Sequence, residues 1–333
     1  MGGGNVTNFM KFSSATYITL LLALLLNACI AERWEKEAAV NKVAVNFYLT
    51  NPGKFGIDYF RGNITQVHVL VADNYGRFVE KRVFYKNDLP KKGMPYVQLQ
   101  LRKNSKFQVI CWANMHEYTD FTGVSEGSDM EDAKLQNISI NEFNIAENFD
   151  PLFYAADTND IGEYTPRLIE VGTQNLNDTL AFVPAHSRVE VYIEDYRDFD
   201  AEISAEDEVP QLPLVELCNL PEGYDFYLKE AGETIAYGNM IPFNRVINDK
   251  YMTVYEFNTP LLDENTPACL KLTTPTTAAT LFSLDLKNFI SQYHLDAHKS
   301  GVLVVPIHIV YRKDTEIEIK LASWVLNPVT PIL

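Results

Sequence analysis

Apolar and polar residues alternate with period two at both ends of the chain, and that leaves little room for any fold but sheets. Val43, Val45, Phe47 and Leu49 alternate with Ala44, Asn46 and Tyr48, the period of a half-buried strand. Thr65, Val67, Val69 and Val71 form a second stripe. Asp73-Asn74-Tyr75-Gly76 reads as its turn, and residues 77–85 as the return. A further pair runs out over 96–101, turns at 102–105 and comes back over 106–114. Near the far end Leu303, Val305, Ile307, Ile309 and Tyr311 share one face. Arg312-Lys313-Asp314 turns there, and Ile317, Ile319 and Leu321 answer. Strand-like pieces lie around 214–220, 252–257 and 269–272, and residues 115–149 read as polar and irregular. A helix over 283–293, with Leu286, Ile290 and Tyr293 on one face, is the clearest helical pattern. Many short strands with regular turns specify an all-β chain of stacked sandwiches. Residues 188–193 repeat the alternation of residues 42–47, which suggests two related modules.

Ahead of the first strand lies a signal of another kind. The apolar run from Tyr17 to Leu26 is half of the roughly 20 residues a membrane-spanning helix needs. It fits the apolar region of a secretory signal peptide. Leu26-Asn27-Ala28-Cys29 is similar to a bacterial lipobox, in which the thiol takes a diacylglycerol, the peptide is cut before the cysteine, and the new amino group is acylated. The alternative is an ordinary signal peptide with a chance cysteine. Lys11 is the one basic residue before the apolar run, so Met10 is a candidate true start. On this basis residues 1–28 are a removed signal peptide and 29–41 a lipid-anchored tether. The segments 42–175 and 176–333 are then the two β-sandwich domains.

The formal charge is −16, and removal of residues 1–28 with Lys11 makes it −17. Such a surface repels phosphate backbones, which speaks against nucleic-acid binding. Of four cysteines, Cys29 is assigned to the lipid. Three remain, so a disulfide framework is not expected. Cys218 and Cys269 are read as buried free thiols, with one bridge between them as the alternative.

No constellation for catalysis stands out. There is no Gly-x-Ser-x-Gly, no phosphate-cradling glycine loop and no supported Cys–His pair. His294 and His298 have metal-ligand spacing but lack the Glu of the zinc motif, and read as a solvated helix end. The acidic stretch 194–208 has no glycine and reads as a solvated linker. Trp112 reads as a core residue, with a sugar-stacking platform as the alternative. The expectation is a non-enzyme with no metal, no cofactor beyond the acyl chains on Cys29, and no small-molecule substrate.

Taken together, these stretches resemble the FimB-like anchor subunits of Bacteroidales fimbriae, in the fimbrillin superfamily of type V pili. The residues that carry the resemblance are the lipobox at Cys29, the strand at 43–47, and Lys106-Phe107-Gln108-Val109-Ile110-Cys111-Trp112-Ala113-Asn114, similar to the family's Trp-Ala-Asn run. Asp150-Pro151-Leu152-Phe153-Tyr154, residues 180–193, and residues 317–327 with Trp324 complete it. Two departures are visible: Asn104-Ser105 replaces the family's glycine, and an arginine usual near Val183 is displaced to Arg188. The resemblance implies two tandem transthyretin-like Greek-key domains, outer-membrane lipidation, and a place at the base of a fimbrium with stalk subunits as partners. It also implies exchange of strands between subunits. Candidate segments are Val43, Val45, Phe47 and Leu49, and the closing strand with Trp324 and Leu326. In polymerising relatives a protease cuts after a basic residue near the N-terminus; Arg33, Lys36 and Lys42 are the candidates here. A surface glycan- or ligand-binding lipoprotein, or a tip adhesin of the same superfamily, is the alternative.

Overall fold

The computed structural model describes residues 41–50, 61–155, 157–159, 163–194, 213–238, 241–262, 266–273, 280–295, 302–310 and 317–326. The protein is almost wholly β. Lys42–Thr50 (β1) precedes the hairpin Gln66–Asp73 (β2) and Phe78–Tyr85 (β3), then Tyr96–Arg102 (β4) and Ser105–Ala113 (β5). Short strands follow: Thr119–Thr122 (β6), Lys134–Asn137 (β7), Ile145–Ala146 (β8), Phe153–Ala155 (β9), Asp157–Thr158 (β10) and Tyr164–Thr165 (β11). Arg167–Val171 (β12) and Leu176–Pro184 (β13) lead to Ser187–Glu194 (β14), Leu214–Asp225 (β15), Glu230–Tyr237 (β16) and Phe243–Ile247 (β17). Lys250–Thr259 (β18), Cys269–Thr273 (β19), Thr280–Asp285 (β20), Leu303–Val310 (β21) and Glu318–Leu321 (β22) complete the strands.

The first sheet runs β3-β2-β5-β9-β13-β1-β4, with β12 joined to the other half of β5. It folds back on itself. Val45, Phe47, Leu99 and Leu180 from β1, β4 and β13 meet Val67, Val69, Val71, Val109 and Cys111 from β2 and β5 in one buried cluster. The second pair of sheets is β17-β18-β14-β21-β22 facing β20-β19-β15-β16-β8. Val189, Val191, Phe257, Val305 and Ile307 pack there against Leu217, Leu220, Tyr237 and Leu270.

The two pairs of sheets are joined through β2 and β5. Leu70 and Ala72 of β2, with Ile110 and Trp112 of β5, belong to the second core, although their strand neighbours belong to the first. Both faces of these strands are buried, which is why they read as near-continuous apolar runs. Trp112 is wholly enclosed. Its ring centroid lies 4.7 Å from Tyr154 and 6.0 Å from Tyr224. The Tyr154 hydroxyl donates to the Phe226 carbonyl at 2.7 Å. Trp112 is therefore core, and central to it.

The structure departs from the sequence reading in several places. Within 115–149, expected to be irregular, β7 pairs with β15 and carries β6 on its other edge, and β8 pairs with β16, so an early segment completes a late sheet. Gly223 makes the β7–β15 approach feasible, since a Cβ there would lie 1.9 Å from the Leu135 carbonyl oxygen. The division expected at 175/176 falls just before β13, which pairs with β1 and β9 of the first sheet. Sheet membership changes instead between Pro184 and Ser187. The expected helix starts later, at Leu286, because residues 280–285 pair with β19. Asp285 caps it by accepting the Asn288 amide at 3.1 Å. Asn104 stands at φ 53° in the β4–β5 turn, so an asparagine takes the left-handed position usually given to glycine. Among the described residues, no helix is long and apolar enough to cross a membrane.

Cys218 and Cys269 are bonded to each other, which corrects the expectation of free thiols. They are directly opposed in the β15–β19 ladder with Cα atoms 5.1 Å apart, and sequence alone does not reveal that register. Cys111 is free and buried. The bridge closes a 51-residue separation, so the double substitution Cys218→Ser/Cys269→Ser should lower unfolding free energy by about 4 kcal/mol on the chain-entropy account. Urea denaturation of the two proteins measures this; equal midpoints would contradict it.

Candidate strand-exchange site and inter-module cleft

β1 is an interior strand. It pairs antiparallel with β4 from Lys42↔Arg102 to Tyr48↔Tyr96, and parallel with β13 from Val45↔Leu176 to Thr50↔Ala181. Val43, Val45, Phe47 and Leu49, the predicted exchange residues, all point into the first core and are at most 5% exposed. Each contributes about 1.5–3 kcal/mol by leaving water. The opposite face is ordered by side chains. Gln98 Nε2 donates to Asn46 Oδ1 at 2.8 Å, and Asn46 Nδ2 donates to Asn177 Oδ1 at 2.8 Å. These three amides form a ladder across β4, β1 and β13. Tyr48 and Tyr96 pack beside it with ring centroids 5.7 Å apart and planes tilted by 52°. A strand that took the place of β1 would need four apolar residues at two-residue spacing and an amide between the second and third.

The other predicted residues are placed differently. Lys42 is the first residue of β1, exposed and opposite Arg102. Cleavage at Lys42 or upstream would leave β1 in its sheet; removing β1 requires a cut after Thr50. Cys29, Arg33, Lys36, residues 195–208 of the acidic stretch, and His298 lie outside the described residues. Trp324 and Leu326, expected on a closing strand, instead lie in a helical turn, Ser323–Leu326. The β21–β22 ladder stops at Leu321, after which the Ala322 amide bonds back to the Pro306 carbonyl at 3.0 Å and the Val325 amide bonds to Ala322. Buried Ala322 turns the chain there.

Between the two pairs of sheets opens a cleft of about 600 Å³, which no sequence motif announced. Asn63, Asn148 and Phe153 line one side, and His186, Arg188, Phe243 and Glu256 the other. Polar contacts order the segments around it. Asp150, buried, accepts from the His116 amide at 2.9 Å, the Thr119 amide at 3.0 Å and the Thr119 hydroxyl at 2.6 Å. Asn114, at φ 64°, accepts from the Thr65 amide and donates to the carbonyls of Asn63 and Pro151. Asn148 Oδ1 accepts the Asn258 amide at 2.8 Å, tying the two walls. The Arg188 guanidinium pairs at 2.7 Å with Glu190, which is 3% exposed and also accepts the Tyr192 hydroxyl. His186 Nδ1 lies 2.8 Å from the Leu152 carbonyl. Burial above all, and then Arg188, lowers its pKa to about 4 against the pull of that carbonyl, so the ring is neutral and Nδ1 donates.

Comparison with known proteins adds the family. Residues 38–328 match the model of the fimbrillin-A associated anchor proteins Mfa1 and Mfa2. The chain belongs to that family. The match runs from just before β1 through the helical turn at 323–326. No curated protein matches. Among solved structures, the fimbrial anchor protein Mfa2 of Porphyromonas gingivalis superimposes with a TM-score of 0.59 at 15% identity, over 84% of this chain and 97% of that one. A candidate polysaccharide-binding protein of Bacteroides thetaiotaomicron gives 0.61 at 15% identity, over 85% and 96%. A candidate adhesin of Bacteroides ovatus gives 0.60 at 13%, over 85% and 94%. At these identities the likenesses show a shared fold, and the family match makes this chain fimbria-associated.

In this member of the anchor family two histidines with lowered pKa are expected to make the fold acid-sensitive. His68, on β2, is brought to about 4 chiefly by burial and then by Lys81. Both its ring nitrogens are buried without a hydrogen-bond partner among the described residues. A folded-state pKa below the unfolded value of about 6.5 means that the unfolded chain takes up the proton first. The stability contributed by neutral His68 and His186 is present above that value and is lost as pH falls towards 4. Urea midpoints should therefore decline between pH 6.5 and 4, and His186→Gln should flatten the decline. An unchanged slope in the variant would contradict this account.

Proposed function

We propose that this protein is a lipid-anchored, non-enzymatic subunit at the base of a fimbrium. The diacylglycerol and N-acyl chain on Cys29 hold it in the outer membrane, exposed at the cell surface, and it engages the first stalk subunit by β-strand complementation. The observation that carries this is the position of Cys29, directly after an apolar run and 13 residues ahead of β1, in a chain of the fimbrial anchor family. Two or three acyl chains anchor stably, since each buried CH2 contributes about 0.8 kcal/mol. The Cys218–Cys269 bridge supports a location beyond the inner membrane, in an oxidising compartment. Complementation would draw on main-chain bonds for affinity and alternate pockets for specificity, the same two features that hold β1 in its own sheet here.

Labelled palmitate should enter the wild-type protein and not Cys29→Ala. Cells with Cys29→Ala in place of the wild type should shed fimbriae or make fimbriae of altered length, and immunogold should place the protein at the cell-proximal end. Labelling that survives Cys29→Ala, or unchanged piliation, would count against the proposal.

The cleft favours a second reading, recognition of a surface saccharide. A sugar offers vicinal hydroxyls to planar amide, guanidinium and carboxylate groups, and an apolar face to a ring. Asn63, Asn148, Arg188, Glu256 and half-exposed Phe243 supply those groups. The neighbour from Bacteroides thetaiotaomicron, described as a candidate polysaccharide-binding protein, shares the fold. On this reading a glycan array yields hits that Glu256→Ala weakens at least tenfold; an array without hits would remove it.

A further inference from the structure

We propose that β1 is also the strand that carries tension through the chain, a shear clamp between whatever holds the N-terminus and the rest of the protein. The inference rests on the anchor reading for its source of tension, and on the strand geometry for its mechanism.

Tension entering at the N-terminus reaches the fold at Lys42. The chain leaves the first sheet for the second pair of sheets at Pro184, the end of β13. Because β1 and β13 are parallel, these two points lie at opposite ends of the pair. By the register Val45↔Leu176 they are separated by 11 positions, about 36 Å along the strand axis. A pull between them runs along the strands and across the hydrogen bonds, which lie perpendicular to an antiparallel pair and slanted in a parallel one. Every rung from Lys42 to Tyr48 on the β4 side, and from Val45 to Thr50 on the β13 side, is then strained together. Had the first and last strands of this sheet been antiparallel neighbours, entry and exit would have shared one end, and the same pull would have peeled the rungs one at a time.

Side chains resist the sliding that shear demands. A slip by one residue would turn Val43, Val45, Phe47 and Leu49 out of the core. A slip by two would restore the face but drive Phe47 into a valine-sized place and break the Gln98–Asn46–Asn177 ladder. The Asn41 carbonyl, bonded to the Lys103 amide at 2.8 Å, and the Leu49 amide, bonded to the Pro95 carbonyl at 2.8 Å, pin the two ends.

Single-molecule pulling on the full chain carrying Cys29→Ser tests this with one handle at the N-terminus and the other on a single new thiol. Cys111 is buried and Cys218 and Cys269 are bonded, so none of the three competes for the handle. Met94→Cys puts the second handle in an exposed position at the far end of β1 and loads it in shear. Arg102→Cys puts it opposite Lys42 and peels β1 from β4. The expected result is a rupture force several-fold higher through position 94 than through 102, with Asn46→Ala lowering the former towards the latter. Equal forces in the two geometries would overturn the clamp while leaving acylation of Cys29 untouched. Loss of palmitate labelling would remove the membrane end of the load and leave the asymmetry of rupture intact.

Discussion

The burial of β2 and β5 on both faces is the constraint from which the rest of the architecture follows. A strand that is apolar on alternate positions needs one neighbour layer; a strand that is apolar on all of them needs two. Val67, Val69, Val71, Val109 and Cys111 supply one core, and Leu70, Ala72, Ile110 and Trp112 supply the other. The second core therefore has to extend across the junction, and the aromatic group of Trp112, Tyr154, Tyr224 and Phe226 fills that space. The strands β6 to β8 cross to the second set of sheets for the same reason: they close the layer over β2 and β5 that the first sandwich leaves open.

That junction explains the polar chemistry as well. Wherever the chain passes between the sheets, its backbone groups leave water and need partners. Asp150 and Asn114 supply them to residues 63–65 and 116–119, and Asn148 ties in Asn258. His68 and His186 are enclosed at the same boundary and stay neutral because a charge there would go unsolvated.

β1 and β14 hold the same topological place. Each is flanked by one antiparallel and one parallel neighbour, β4 and β13 for the first, β18 and β21 for the second. The similarity of residues 42–47 to 188–193 is thus a similarity of position. Each is an interior strand with a core on one side; the other face is half-exposed in β1 and largely buried in β14. In the first sheet this strand also follows the proposed lipid attachment, so the tension proposed to come from the membrane and the burial of the first core meet on its nine residues.

The sequence by itself determined the β character, the main hairpins at 66–85, 96–113 and the strand at 303–310, and the alternation of β1, because these depend on residues a few positions apart. It also carried the signal at Cys29 and the stretches that resemble the anchor family, which are local in the chain. What only the tertiary structure decided was long-range: the Cys218–Cys269 register, the parallel pairing of β1 with β13, the crossing of β6 to β8, the helical turn at Trp324 and the inter-module cleft. Each of these joins residues tens of positions or more apart, or, at Trp324, depends on where a ladder with a distant strand runs out. Pairings of that kind are chosen by which buried faces fit together, and side-chain periodicity states that a face exists without naming its partner.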